Sequence, residues 1–156
     1  PTPDELAVWR TFLECALALP DVLGAEMEGQ GGLSLRWYDV LVHLEEAGGG
    51  VPMNEVATRI LASKSGLTRV IDRMERAGLV RRERIEDDRR VVLVHATDEG
   101  IAALRASRRI HRDGIRRHFT AHLDADDLAA LAAALDKVRD HVRPLRPGRV
   151  SGGGGS

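Results

Sequence analysis

The feature that most constrains this chain is a change of period between residues 79 and 97. Up to Leu79 the apolar residues recur every three or four positions, as on a helix. Then "VRRERI" (80–85) and "VVLVHA" (91–96) are β-favouring runs on either side of "EDDRR" (86–90). Two such runs five residues apart predict a hairpin. At Thr97 the helical period returns, with Thr97 as N-cap and Asp98 and Glu99 in the first turn, where negative charge suits a helix N-terminus. The chain must therefore tie a small hairpin directly between two helices.

Upstream, the same reasoning predicts two short helices in quick succession, over 53–62 ("MNEVATRILA") and 63–80 ("SKSGLTRVIDRMERAGLV"), with Ser63 as N-cap and Gly78 as C-cap of the second. Leu67, Val70, Ile71 and Met74 form its buried stripe, which leaves Ser65, Thr68, Arg69, Asp72, Arg73 and Arg76 facing out. Small hydroxyls allow close approach and bind phosphate, and arginine can pair bidentately with guanine, so this is the face a DNA-reading helix needs. The bland alternative for Arg73 and Arg76 is a solvated helix face, with Asp72 and Arg76 as an i,i+4 ion pair. Gly66 weakens the helix start, and the room it leaves for a nucleic-acid backbone is one compensation. Before this pair, Ser34 caps a helix whose apolar face is Trp37, Val40, Leu41 and Leu44, ended by the glycines 48–50.

The chain ends carry a different pattern. Residues 4–27 show two apolar stripes, Leu6, Trp9, Leu13 and Leu17 beside Val8, Phe12, Cys15 and Leu19, so that helix needs partners on two sides; Pro20 is expected to kink or interrupt it. In 97–122 the positions 101, 104, 108, 111, 115, 118 and 122 keep a three-four spacing, as do Leu128, Leu131, Leu135, Val138 and Val142 in 125–142. Narrow seams of this kind pack helix on helix, commonly between subunits. The expected fold is mainly α with a small β-hairpin wing: a winged helix–turn–helix over about 34–96, and a helical dimerisation region from both chain ends, about 4–27 and 97–142. A homodimer suits such a reader, since two helices about 34 Å apart address the halves of a palindrome.

Charge agrees. The totals, 23 basic and 24 acidic side chains, are nearly balanced, but residues 1–56 carry 2 basic and 10 acidic groups while 57–93 carry 10 and 6. The central segment is thus a local footprint for a polyanion. With 43% hydrophobic residues and only 3% aromatics, the core must rest on Leu, Val, Ile and Ala within one domain over 1–145. Residues 146–156 are expected to be a flexible tail, ending in an added "SGGGGS" linker. One cysteine excludes an internal disulfide, and the six histidines are too dispersed for a zinc finger. No apolar run approaches the ~18 residues of a membrane span and no signal peptide opens the chain, so the expectation is a cytoplasmic, nucleoid-associated protein without membrane contact.

The blocks "LSLRWYDVLVHLEEAGG", "MNEVATRILASKSGLTRVIDRMERAGLVRRE" and "DDRRVVLVHATDEG" resemble the MarR (multiple-antibiotic-resistance regulator) family of dimeric transcription factors, over roughly residues 5–145. The resemblance implies a repressor that binds double-stranded DNA as a homodimer at a palindromic operator and is released by a small effector. By position, Ser63, Lys64, Ser65, Thr68, Arg69 and Arg73 fall on the family's recognition-helix surface. Asp88, Arg89 and Arg90 fall on its wing motif, the arginines as minor-groove or phosphate contacts and the acids as turn formers and partners for them. The effector would sit between the dimerisation helices and the winged unit. Trp9, Arg10, Trp37, Tyr38, Asp39, His43 and His111 are the aromatic, cationic and polar groups placed to bind an aromatic or anionic molecule, although both tryptophans also suit plain core packing.

Two further constellations invite chemistry. Cys15 raises a redox reading, because one branch of the family senses hydroperoxides through a first-helix cysteine. That cysteine aligns near Arg10, however, and Cys15 sits on an apolar stripe with no nearby base, as a small buried hydrophobe does. His111, His118 and His122 share one seam, and the spacing of the last two is that of a metal pair. "HFTAH" lacks the glutamate of a hydrolase HExxH, and sequence marks no further ligand, so no metal or other cofactor is assigned. A metal- or redox-responsive regulator is the alternative; a metalloenzyme or a helical module without DNA function is a more distant one.

Overall fold

The computed structural model describes residues 1–60, 64–85 and 91–143, with residues 64 and 65 described by their backbone alone. The elements run α1 (Pro3–Gly29), α2 (Leu35–Ala47), β1 (Val51–Pro52), α3 (Met53–Arg59), α4 (Lys64–Arg76), β2 (Val80–Arg84), β3 (Val92–Ala96), α5 (Asp98–His118), a 3-10 turn (Thr120–His122) and α6 (Ala125–Val142).

The caps at Ser34, Gly48, Gly78 and Thr97 are as the sequence predicts, and the expected cap at Ser63 lies outside the described residues. Ser34 Oγ accepts from the Trp37 amide at 3.4 Å, and Thr97 Oγ1 accepts from the Gly100 amide at 3.0 Å. Gly48 and Gly78, past the ends of α2 and α4, take the left-handed φ values of 67° and 74° that close a helix. Thr97 also donates its hydroxyl to the Gly78 carbonyl at 2.6 Å, binding the start of α5 to the end of α4. Here the backbones come so close that a Cβ on Gly100 would lie 2.1 Å from the Leu79 carbonyl oxygen.

The core belongs to the central unit. Val40, Leu41 and Leu44 of α2 meet Val56 of α3, Leu67, Ile71 and Met74 of α4, Val80 and Val94 of the strands and Leu104 of α5, all buried. Val70 and Trp37 pack on this cluster while keeping part of their surface. Burial of this kind contributes about 1.5–3 kcal/mol per large side chain, ahead of any local propensity.

Three expectations are corrected. The hairpin is part of a three-stranded antiparallel sheet in the order β1-β3-β2, because Val51 pairs with Val94 and Pro52 with Leu93. A two-residue edge strand ending in proline has no periodicity to read. Pro20 does not interrupt α1, which runs unbroken across it; packing of the C-terminal half against α5 offsets the one hydrogen bond a proline removes. The helix expected over 97–122 stops at His118, where Phe119 leaves helical geometry at φ −134° and ψ −71°.

Both ends of the chain remain uncovered. Every residue from 1 to 18 is exposed, including both apolar stripes of α1 apart from the partly buried Leu19, with Val8 at 71% and Leu17 at 69% of full exposure. Leu135, Val138 and Val142 of α6 are exposed as well.

Candidate nucleic-acid interface

Helix α4 is amphipathic with its two faces in different hands. Leu67, Ile71 and Met74 are buried, whereas Thr68, Arg69, Arg73 and Arg76 face solvent. Lys64 and Ser65 lie in its first turn. Ser63 and the whole of "EDDRR", with Asp88, Arg89 and Arg90, lie outside the described residues.

The acidic side of α4 is bound to the wing. Arg82, on β2, donates from Nη2 to Asp72 Oδ1 at 2.6 Å and from Nη1 to Glu75 Oε2 at 2.7 Å. Its backbone amide donates to Glu75 Oε1 at 3.0 Å, and Nη2 also reaches the Thr68 carbonyl at 3.4 Å. This corrects the expected Asp72–Arg76 ion pair: the Asp72 carboxylate is taken by Arg82, and Arg76 Nε instead donates to the Asp72 carbonyl at 3.2 Å. In the sequence Arg82 is one basic residue in a β-favouring run. The available signal was Asp72 and Glu75, two acids one turn apart on an otherwise basic helix.

Of the effector candidates, the structure gathers Tyr38, Asp39 and His111. The Tyr38 and His111 rings are 4.5 Å apart. Burial raises the Asp39 carboxyl above its ordinary range, against the opposing pull of His111 and Arg36. Burial likewise lowers His111, against the pull of Asp39. Asp39 also lines a cleft with Val42, His43, Glu46, Arg59 and Ile60. His43 is buried and its Nε2 lies 4.0 Å from Glu55, too long for a hydrogen bond. Trp9 and Arg10 are not brought to this group: they stand on the uncovered half of α1, where Trp9 is 5.9 Å from Phe12. Trp37 is half-buried against the core, in its packing role.

The other constellations separate. His118 Nε2 lies 2.8 Å from Glu26 Oε2, the carboxylate that also pairs with Arg117. His122, beyond the helix end, lies 3.0 Å from the Arg117 carbonyl. The two histidines therefore do not form an i,i+4 pair on one helix, and no three His, Cys, Asp or Glu among the described residues are grouped to hold a metal. Cys15, expected to be buried, is exposed in the single chain because nothing covers that stripe of α1. No helix among the described residues is long and apolar enough to cross a membrane.

This arrangement has counterparts. Residues 31–91, from within the α1–α2 loop to the residue before β3, match the model of the MarR family. The HTH-type transcriptional regulator PecS of Dickeya dadantii (strain 3937) is 31% identical over 112 residues, covering 70% of this chain and 67% of its own. AbsC, a MarR family transcriptional regulator from Streptomyces coelicolor, superposes with a TM-score of 0.82 at 37% identity, over 92% of this chain and 97% of its own. Sco3205 from the same organism, a MarR family regulator solved in complex with DNA, superposes with a TM-score of 0.83 at 30% identity, over 92% and 91%. With its winged helix–turn–helix, its basic α4 face and these relatives, the chain belongs to the MarR family and is a DNA-binding transcriptional regulator, not an enzyme.

Proposed function

We propose that the protein is a homodimeric repressor that reads a palindromic operator with α4 and is released by a small aromatic or anionic ligand. The observation that carries the reading is the exposed stripe of Arg69 and Arg73 on a helix whose opposite face buries Leu67, Ile71 and Met74. Those side chains are free to enter a major groove, while the core holds the helix rigid behind them. Lys64, Ser65 and Thr68 belong to the first turns of the same helix, where small or cationic residue types suit phosphate, and Ser63, which precedes them in sequence, is proposed to join them. Asp88, Arg89 and Arg90, which fall between β2 and β3 in sequence, are proposed as the wing's DNA contacts and their holding acid.

The dimer reading is supported by the uncovered faces of α1 and α6. A helix with two bare apolar stripes up to residue 18 is covered by a second copy of the same ends. That interface also buries Cys15. The ligand reading is supported by Tyr38, Asp39 and His111, where partly desolvated groups of either charge stand beside an aromatic ring.

Selection from random duplexes tests the function. Enrichment of an inverted repeat, bound less tightly as salt rises, is the expected result. Enrichment of no repeat rejects it. A thermal-shift screen with aromatic acids and phenols then identifies a ligand that both stabilises the protein and releases the duplex.

A further inference from the structure

From the Arg82 contacts we infer that Arg82 is a positioning residue for DNA reading: its guanidinium fixes the rotation and axial position of α4 and so aims Arg69 and Arg73. The inference rests on α4 being the DNA-reading helix.

A planar guanidinium that spans two carboxylates one turn apart resists both rotation and sliding of the helix that carries them. A single point charge does not. Thr68, Asp72 and Glu75 follow one another at i, i+4 and i+7, and Arg82 touches all three. Arg69, Arg73 and Arg76 form the neighbouring row, about 100° further round the helix. Locking one row therefore sets the direction of the other. Arg82 is anchored at its own end as well, because β2 pairs with β3 on both sides of it, with Arg82 opposite Val94. Its side chain retains only 24% exposure, and its two terminal nitrogens are directed at α4. The wing thereby acts as a strut for the helix beside it, independent of what its tip touches.

The alternative role, a direct phosphate contact, makes opposite predictions. The test uses the full chain with a selected operator duplex and a scrambled one, and measures the operator-to-scrambled affinity ratio and the salt slope for each variant. Arg82→Ala and Arg82→Lys are each expected to lower the ratio about tenfold, with the salt slope unchanged. Lysine keeps the charge but not the fork. Asp72→Asn combined with Glu75→Gln is expected to lower the ratio similarly, although it removes two negative charges from a DNA-facing helix. This exposed pair of substitutions keeps the test open if an Arg82 variant fails to fold. Normal binding by Arg82→Lys, a salt slope reduced by about one in Arg82→Ala, or a ratio raised by the Asp72/Glu75 double variant would each overturn the inference. Arg69→Ala is the control. If it leaves the ratio unchanged, the assignment of α4 fails and the inference falls with it; if it lowers the ratio while the Arg82 variants bind normally, only the positioning role fails.

Discussion

The central winged unit and the two chain ends are built from similar residues and finish in opposite conditions. Leu41, Ile71, Met74 and Leu104 are wholly buried by their own chain, whereas Leu6, Trp9, Leu13 and Leu17 on α1 stand in solvent with Leu135 and Val138 on α6. Composition does not explain the difference; topology does. Only the C-terminal half of α1 is laid along α5, where Leu23 meets Gly114 and Glu26 meets Arg117 and His118. The N-terminal half runs past the end of its own fold. The central unit is thus covered within one chain, whereas the apolar faces at the ends are left for the second copy that the proposed dimer supplies.

The comparison is broken most forcefully by charging the bare face. Leu13→Glu with Leu17→Glu should yield a monomer in sedimentation analysis. Operator affinity should then fall on the order of a hundredfold or more, because two half-sites no longer bind as one ligand. Circular dichroism should show the central helices intact.

Truncation of the buried side should act differently. Ile71→Ala is expected to remove about 2–5 kcal/mol of stability in denaturant titration, as deletion of buried methyl groups generally does. The central core's loss should not depend on protein concentration, whereas destabilisation at the ends should.

Smaller effects sharpen the DNA side. Arg69→Ala should weaken operator binding by about 1–3 kcal/mol and relax specificity at one base pair. Arg90→Ala should weaken binding to all duplexes alike and reduce the salt slope by about one. Asp88→Ala should weaken binding despite removing a negative charge; tighter binding would show the acid to be merely repulsive.

The smallest effect concerns His111. Its folded-state pKa lies below its ordinary value, so the neutral ring is the form the fold favours. The stability it contributes is present above the unfolded value near 6.5 and is lost as pH falls through the lower folded value. His111→Gln should flatten thermal stability over that interval.

Much of this was legible in the sequence because it depends on local rules. Ser34 and Thr97 are caps wherever a helix follows them, and Leu67, Ile71 and Met74 keep helical spacing against any core. What escaped depends on contacts across the chain. The strand at Val51–Pro52 exists only because Val94 and Leu93 are there to pair with it. The end of α5 at His118 separates two histidines that spacing alone had put together. Arg82 is indistinguishable from Arg81 or Arg84 in sequence, and only the register of β2 turns it towards Asp72 and Glu75. The exposure of Arg69 and Arg73 follows from local helical spacing, whereas the Arg82 contacts beside them depend on the fold.

The central claim is that two copies of this chain present two α4 helices to one symmetric site. Hydroxyl-radical footprinting on a selected operator, with sedimentation of the same complex, tests it most directly. Two protomers per duplex and two symmetric zones of protection centred about one helical turn apart, ~34 Å, are expected. A single protomer on the duplex, or protection without two-fold symmetry, would contradict it.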